Sequence, residues 1–302
     1  PSVNPRKFIQ AEWETMNIFA KIQVSDKAIQ ASRSNRAAFI QALAHDMEKA
    51  ERDAKRDVSR QVMGDGTGLL ATISSVSGSN PYTCTLDSAK WFAEGMLIDV
   101  YTGTTKDTSE AEVTSVDKAN NQIVFSTATA PAANDLIYVA GNRDLEITGV
   151  KKVMTADNTL YGINRASNKW FNPTIKVVNG EISEVKIQEG IDDAEDETGN
   201  TIDFLIAEKG VRRAYVNLLS AMKQIVNSLD LKGGFKAISF NGIPLTADKY
   251  CANGELQAMS LSNWKLYEMA DWGFMDEDGN VLFRNTNTPV YNAVLRKYCD
   301  LG

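Results

Sequence analysis

The clearest pattern of apolar and polar positions lies between Arg33 and Met63, where one apolar stripe recurs at spacings of three and four residues. The stripe consists of Phe39, Leu43, Met47, Ala50, Ala54, Val58 and Val62. Charged side chains fill the opposite face, and Ser34 or Asn35 can cap the start. The pattern predicts a single helix of about 45 Å, which is longer than a compact domain of this size usually needs.

A glycine-rich segment follows this helix directly. It consists of Gly64, Asp65, Gly66, Thr67 and Gly68. We expect it to end the helix and turn the chain, with Gly64 in the left-handed conformation that helix C-termini favour. A phosphate-binding loop would instead follow a strand, open a helix and carry a Lys-Ser/Thr pair, none of which is found here. The segment therefore predicts a structural turn.

Residues 71–141 change to short stretches of β-branched and aromatic residues separated by turn-forming residues. Four strands are predicted, at Met96–Tyr101, Glu112–Val116, Gln122–Ser126 and Leu136–Val139. Their spacing is typical of a small antiparallel barrel or sandwich inserted after the long helix. A β-rich arm of the main domain is the alternative.

The remaining segments mix both kinds of element. Asn17–Val24 and Thr201–Ala207 predict strands, and Glu208 to about Leu229 predicts a helix with one apolar face. A helix beginning near Ser183 would carry the acidic run Glu189–Glu197 as a solvated end rather than as a metal site. Further along, the predicted elements are a hairpin centred on Asn241-Gly242, a strand at Leu256–Leu261 and a second hairpin over Gly273–Phe283 through Asp278-Gly279. Together these elements define an α+β core.

The charge of the chain, the length of its apolar runs and the spacing of its cysteines limit the classes of function that are possible. The chain has 302 residues with 32 basic and 39 acidic side chains. Because non-specific DNA binding depends on Lys and Arg that neutralise phosphates, we expect the chain to bind DNA only weakly. No apolar run approaches the length of a membrane span. Cys84, Cys251 and Cys299 lack the spacing of a zinc or redox site, and we expect them to be small buried side chains in a reducing cytoplasm.

Catalysis finds little support in the sequence. His45, the single histidine, sits among charged neighbours on the long helix, where we expect it at the surface. The sequence contains neither a nucleophile-elbow motif nor a dinucleotide-binding motif. We therefore expect that the chain is not an enzyme and that it binds no cofactor or metal. Carboxylates are plentiful, so a glycosidase stays open at this point, although no pair stands out.

Several motifs, taken in order, resemble the major capsid proteins of tailed bacteriophages. They are Gly64–Ala71, Glu146–Val150, Tyr161–Phe171, Ser239–Leu245 and Asp248–Cys251. The resemblance implies the Hong Kong 97 phage-type capsid fold, an α+β fold with peripheral and axial domains and the long helix as the spine of the peripheral domain. Here the fold would also contain the inserted small antiparallel β domain.

By this resemblance the chain divides into six segments. They are an extended loop or arm (1–32), the spine helix (33–70), the inserted β domain (71–141), a peripheral part (142–200), an axial domain (201–275) and C-terminal peripheral strands (276–302). The outgoing strand of the extended loop is not in the sequence, and Pro1 in place of Met points to the same gap. We expect the first segment to be mobile or to contact a neighbouring subunit.

The resemblance implies a shell protein that assembles with itself into hexamers and pentamers around double-stranded DNA. Further partners would be scaffold, portal and decoration proteins, with weak DNA contact and no membrane, in a virion assembled in the bacterial host cytoplasm. The family-like loop contains Tyr161, Gly162, Asn164, Arg165 and Trp170. We expect the pair Trp170-Phe171 to anchor this loop to a core. Two alternatives remain: a carbohydrate-active enzyme or sugar-binding β module that uses Trp170 for stacking, and an encapsulin-type container.

Overall fold

The computed structural model describes residues 9–31, 36–221, 228–230, 236–276, 279–284 and 289–302. Two compact units are present. The first combines Pro1–Asp65 with Ile147–Gly302, and the second is Gly66–Glu146. The first unit begins with strand β1 (Met16–Ser25) and helices α1 (Asp26–Ala31) and α2 (Arg36–Val62). The second unit contains β2 (Leu69–Ser77), β3 (Tyr82–Leu86), β4 (Leu97–Thr102), β5 (Thr105–Asp117), β6 (Gln122–Phe125) and β7 (Leu136–Val139).

The first unit then resumes after the second. Its remaining elements are α3 (Val150–Val153), β8 (Thr159–Leu160), β9 (Ile163–Asn164), α4 (Glu184–Thr198), β10 (Phe204–Ala207), α5 (Lys209–Ala221), β11 (Ser228–Asp230), β12 (Lys236–Phe240), β13 (Ile243–Ala247), β14 (Leu256–Met259), β15 (Leu266–Phe274), β16 (Phe283–Arg284) and β17 (Val290–Leu301). Short 3₁₀ turns lie at Lys169–Phe171 and Leu261–Asn263.

Helix α2 is the predicted long helix, and the part of that prediction before Arg36 falls on residues 32–35, outside the described residues. Its C-terminal half packs on β1 and β17, where Val58 and Val62 contact a cluster of Ile18, Ile147 and Cys299. His45 is exposed, as predicted. Two members of the apolar stripe, Val58 and Val62, are therefore used for packing near the end of the helix.

Strand β17 is the centre of the sheet that α2 covers. It pairs antiparallel with β1 in an unbroken register from Met16 opposite Cys299 to Ser25 opposite Val290. Residues 16–25 are thus part of the main sheet, so the expectation of a mobile segment is wrong for these ten residues, and contact with a neighbouring subunit stays a prediction. The segment before residue 9 lies outside the described residues.

The other edge of this sheet corrects the second predicted hairpin. Strands β15 and β16 both pair antiparallel with successive parts of β17, so they run in the same direction along one edge. The turn signal at Gly279 is real, since its φ is 80°, but it breaks one edge strand into two rather than reversing the chain. The neighbouring Asp278 lies outside the described residues.

A second sheet has the order β11-β12-β13-β10-β14, with helices α4 and α5 packed on it. Its core includes Ile187 and Ile191 from α4 and Tyr215 and Leu219 from α5. The predicted turn at Asn241-Gly242 joins β12 to β13, and both residues have positive φ, 48° and 85°. Helix α4 begins after Ser183, whose hydroxyl accepts a hydrogen bond from the Lys186 N–H, as the sequence predicted for its start.

The end of the helix predicted over 208–229 is wrong. Leu229 lies in β11 opposite Ala237, because edge pairing with β12 overrides the helical pattern of this segment. Residues 222–227 lie outside the described residues, and helix α5 is described up to Ala221.

The second unit is a closed barrel with strand order β2-β3-β6-β5-β4-β7. The sequence left barrel and sandwich open, and it missed β2 and β3, whose Ser- and Thr-rich sequences carry a weak apolar signal. The interior is filled by apolar side chains without measurable exposure, among them Ile73, Ile98, Val113, Ile123 and Phe125. The barrel therefore has its own core.

Three sequence expectations about chemistry can be placed on this fold. Cys84, Cys251 and Cys299 are all buried and free, as predicted. Within the described residues, no group of three or more His, Cys, Asp or Glu could hold a metal ion. Of the described helices, none combines the length and apolar character needed to cross a membrane.

Candidate functional site

The end of α2 is held by short backbone contacts. The Met63 N–H donates to the Arg60 carbonyl at 3.1 Å, and the Gly64 N–H donates to the Gln61 carbonyl at 2.9 Å. The left-handed residues come later, at Gly66 with φ of 79° and Gly68 with φ of 75°. The expectation of a left-handed Gly64 is therefore wrong, because the helix first closes with one tighter turn.

Gly149 lies against this helix end. A Cβ atom at Gly149 would come within 2.2 Å of the Gly64 carbonyl oxygen and 2.5 Å of the Gln61 carbonyl oxygen. Buried Gln61 accepts from the Ile147 N–H at 3.4 Å through Oε1 and donates to Asp57 Oδ2 at 2.7 Å. The motif Glu146–Val150 was noted in the sequence, but only the fold reveals that no side chain fits at Gly149.

A buried carboxylate, which the sequence did not predict, binds the segment that lies against the end of α2. Asp300 Oδ1 accepts hydrogen bonds from the Thr148 N–H at 2.7 Å and from the Leu301 N–H at 2.9 Å. Asp300 is 1% exposed, and this burial raises its pKa. No sequence signal distinguishes Asp300 from the other acidic residues, since its role depends on the distant Thr148.

Within the barrel unit, the entering and leaving segments are neighbours. The Asp144 N–H donates to the Thr67 carbonyl at 2.9 Å. Gly68 approaches the leaving segment so closely that a Cβ there would be 2.7 Å from the Asn142 carbonyl oxygen. Adjacent ends are what a domain inserted into another chain needs.

Tyr161 and Gly162 form the two-residue turn between β8 and β9, and both have positive φ, 49° and 75°. The Tyr161 hydroxyl donates to the Leu301 carbonyl at 2.6 Å. Burial raises the pKa of this hydroxyl to about 12. The ring of Trp13 lies 5.5 Å from the Tyr161 ring. The first family-like residues are therefore tied to the last strand of the chain.

Arg165 is 3% exposed and uses its charge on backbone carbonyls. Its Nη1 donates to the carbonyl of Val153, the last residue of α3, at 2.7 Å and to the carbonyl of Thr155 at 2.9 Å. The guanidinium lies 5.0 Å from the Phe171 ring, and burial lowers its pKa. Asn164 shapes the following turn, where its Oδ1 accepts from the Ser167 N–H at 3.2 Å. These contacts hold the loop against the end of α3.

Trp170 corrects the expectation of an anchoring aromatic pair. Its side chain is 70% exposed, whereas Phe171 packs beneath Arg165. Both residues lie in the 3₁₀ turn at Lys169–Phe171, and their rings are tilted against each other with centroids 5.6 Å apart. Only Phe171 anchors the loop.

Large apolar side chains at the surface form the other conspicuous feature of the described residues. At least 36% of each of the following side chains is exposed: Ile9, Trp13, Phe19, Leu69, Leu97, Leu145, Trp170, Ile175, Val177, Val185, Leu261, Leu266, Tyr267, Met269 and Val281. Single exposed apolar residues are common on protein surfaces, whereas a contiguous patch of them typically marks a site of interaction with another molecule.

Comparison with known proteins found solved structures that are similar to this chain, but no match by sequence. No family model and no curated protein matches the chain. Among solved structures, the chain is similar to the capsid asymmetric unit of cyanophage A-1(L), with 11% identity and a TM-score of 0.49 over 95% of this chain and 73% of that one.

It is also similar to the holo-SrpI encapsulin complex from Synechococcus elongatus PCC 7942, with 16% identity and a TM-score of 0.30 over 42% of this chain. The match spans 47% of the encapsulin chain, so it covers less than half of that protein. A cyanophage capsid and an encapsulin are thus among the solved structures to which the chain is similar.

Proposed function

We propose that this chain is the major capsid protein of a tailed bacteriophage or prophage. In this role it assembles into hexamers and pentamers of an icosahedral shell around double-stranded DNA. The observation that carries the proposal is helix α2, with 27 residues, which lies on β1 and β17 and is followed directly by the barrel. This arrangement supports the assignment of α2 as the spine helix and of the barrel as the inserted domain.

The exposed apolar residues support self-assembly. Phe19 is 53% exposed and Met269 is 79% exposed on strands of the α2-covered sheet, and Val177 is 72% exposed near α4. Neighbouring copies would bury this surface, and each Å² of apolar area removed from water would stabilise the contact by about 25 cal/mol. The proposed activity is mechanical rather than enzymatic, and the glycines and buried polar groups around α2 serve to fix the shape of the subunit.

The sheets also support revised domain limits. We assign β1, β15 and β17 to the peripheral domain, and β10–β14 with α4 and α5 to the axial domain. The axial domain then takes in α4, which the expected peripheral range 142–200 contained, and it ends before β15, which the expected axial range 201–275 contained.

The distribution of charge suggests which part of the subunit faces the packaged DNA. Gly66–Glu146 contains ten acidic and four basic residues, and the remainder of the chain has a net charge of −1. An acidic barrel would be repelled by DNA, so we place it away from the packaged genome, with the DNA held by weak contacts elsewhere. Scaffold, portal and decoration proteins are the further partners expected in a virion assembled in the host cytoplasm.

Expression of the chain in bacteria, followed by light scattering and electron microscopy, tests the proposal. Closed particles of uniform size are expected. A stable monomer of 33.2 kDa at micromolar concentration would contradict it. Particles with nuclease-resistant DNA after phage induction support a phage capsid, whereas particles loaded with a protein cargo and no genome would indicate an encapsulin-type container.

The exposure of Trp170 favours a second candidate, the sugar-binding module. An exposed indole can stack on a sugar ring, and this one is 70% exposed. A glycan array probed with the parent chain and with Trp170→Ala tests this candidate. Binding that is lost in the variant would support it, and assembly without any glycan binding would remove it.

A further inference from the structure

The segment after Trp170 is attached to helix α4 by alternate residues. The Thr174 hydroxyl donates to Glu197 Oε2 at 2.6 Å. Two residues later, Lys176 Nζ lies 3.3 Å from Glu189 Oε2 and 3.2 Å from Asp193 Oδ2. Polar side chains therefore face the helix along this extended segment.

The side chains of the intervening residues point away from helix α4, toward solvent. Ile175 is 56% exposed and Val177 is 72% exposed. Val185, at the start of α4, is 66% exposed. An extended segment on a protein surface ordinarily buries its apolar side chains and exposes its polar ones, because burial of apolar area is favourable. The inverted order leaves an apolar ridge, which we define as Ile175, Val177 and Val185.

The helix to which this segment is attached is strongly acidic. Helix α4 contains one basic residue, Lys186, and seven acidic ones: Glu184, Glu189, Asp192, Asp193, Glu195, Asp196 and Glu197. Lys176 engages Glu189 and Asp193, whereas Asp192 and Asp196 are exposed and have no ion-pair partner among the described residues. A partner for this surface should be apolar and basic.

The same chain carries a surface of that kind on the face of β1 and β17 opposite α2. The accessible cross-strand pairs on this face are Asn17 with Tyr298, Phe19 with Arg296 and Lys21 with Val294, and none of these residues is acidic. Phe19 is 53% exposed, and its ring meets the Tyr298 ring edge-on at 6.1 Å. The Arg296 guanidinium lies 5.7 Å from the Tyr298 ring centre. We call these residues the β1–β17 outer face.

We propose that the apolar ridge and the acidic helix α4 on one copy bind the β1–β17 outer face of a second copy. Ile175 and Val177 pack against Phe19 and Tyr298, and the α4 carboxylates lie opposite Lys21 and Arg296. Because the two surfaces differ, the contact is heterologous, and its repetition closes a ring when the rotation between copies allows. This inference rests on the proposed function, since it names the surfaces through which the subunit would assemble.

Charge reversal with rescue tests the pairing in the full chain. Lys21→Glu with Arg296→Glu, and separately Asp192→Lys with Asp196→Lys, should each abolish assembly while the melting temperature stays near that of the parent. Combining all four substitutions should restore particles. The control pair Glu94→Lys with Lys118→Glu, on exposed positions of the barrel, should leave assembly unchanged.

Cysteine crosslinking gives a direct readout of the contact. The three native cysteines are buried, so Phe19→Cys and Val177→Cys provide the accessible thiols. Co-assembly of these two single variants under mild oxidation should give covalent dimers, and neither variant alone should do so. If the melting temperature falls in a charge variant, this crosslink still decides the question.

The outcomes separate the two proposals. A parent chain that never assembles overturns the proposed function and this interface with it. A parent that assembles, with charge variants that also assemble and no crosslink, overturns the interface alone. Charge variants that block binding of a different protein but not self-assembly would assign the outer face to that protein and equally overturn the proposal.

Discussion

At the scale of single residues, the glycines around the end of α2 are required for two separate physical reasons. Gly66 and Gly68 adopt positive φ, which disfavours any residue with a Cβ. Gly149 has an ordinary φ of −93°, but the carbonyl oxygens of Gly64 and Gln61 occupy the space where its Cβ would be. Backbone strain and steric exclusion should therefore be separable by substitution.

We expect Gly149→Ala to destabilise the first unit by about 1–3 kcal/mol or more, the range of overpacking, because backbone atoms must move. Gly66→Ala should cost about 1 kcal/mol through its left-handed backbone. Gly190→Ala is a matched control: it lies within α4 with nothing near its Cβ position, so it should be neutral or stabilising. Thermal unfolding of the three variants checks this order.

A phosphate-binding role for the Gly64–Gly68 segment would give another result. In that case Gly66→Ala would leave the melting temperature unchanged and remove nucleotide binding. Measurable nucleotide affinity in the parent chain would contradict the structural interpretation, and calorimetric titration with ATP provides the measurement.

Lys297 on β17 is a buried cation with two exposed partners. Its side chain is 6% exposed, and Nζ lies 2.6 Å from Glu268 Oε1 and 2.9 Å from Asp271 Oδ1. Burial by itself would lower the pKa of Lys297, but the hydrogen bonds to the two carboxylates outweigh it and raise that pKa. The hydrogen bond from Lys297 lowers the pKa of Asp271.

These directions fix how stability depends on pH. Since the folded-state pKa of Asp271 is lowered, its contribution is present above the ordinary value of 3.8 and is lost as the pH falls below it. Lys297→Met should remove this acid sensitivity, at a cost of about 1 kcal/mol or less, because both carboxylates can return to water. Unfolding in urea at pH values from 3 to 6 measures the slope.

Two controls sharpen that experiment. Lys118→Met, at an exposed position, should leave the pH dependence unchanged. Glu268→Gln with Asp271→Asn leaves the ammonium buried without a counter-charge, and should destabilise more than Lys297→Met does. Equal loss of stability in the two cases would show that the pair contributes little.

At the scale of elements, strand β1 has two faces with separate tasks. Ile22 is 7% exposed on the α2 side, whereas Phe19 is 53% exposed on the other side. The alternation follows directly from the period of two along a strand. The sequence predicted this strand, but the resemblance placed it in an extended loop or arm.

Ile22→Ala should destabilise the first unit by about 2–5 kcal/mol, as for other buried aliphatic side chains. Phe19→Ala should change monomer stability by about 0.5 kcal/mol or less. Deletion of residues 1–25 should prevent soluble folding, because β17 would lose its ten-residue partner. A truncated chain with a cooperative melting transition would contradict this and indicate that the rest of the first unit folds without β1.

At the scale of the whole molecule, the barrel is a unit with its own core. Its entering and leaving segments meet through Asp144 and Thr67, and its limits are Gly66 and Glu146. The range expected from the sequence, 71–141, would cut through β2 and leave Leu70, which is 4% exposed, without the core it packs in.

Replacement of residues 66–146 by a short Gly/Ser linker should therefore leave a soluble chain with one cooperative transition. Replacement of 71–141 should give a less soluble product, because apolar barrel residues stay behind. Differential scanning calorimetry of both deletions provides the measurement. Loss of the cooperative transition in the first deletion would indicate a core shared between the barrel and the rest of the chain.

The sequence by itself determined what depends on local pattern. The long helix, the Asn241-Gly242 hairpin, the start of α4 and the burial of the cysteines follow from periodicity, turn chemistry and side-chain polarity, which act over a few residues. Four features depended on the tertiary structure: the register of β1 on β17, the single edge formed by β15 and β16, the burial of Asp300 and the exclusion of a side chain at Gly149. Each of these arises where segments distant in the chain meet, and no local pattern records that meeting.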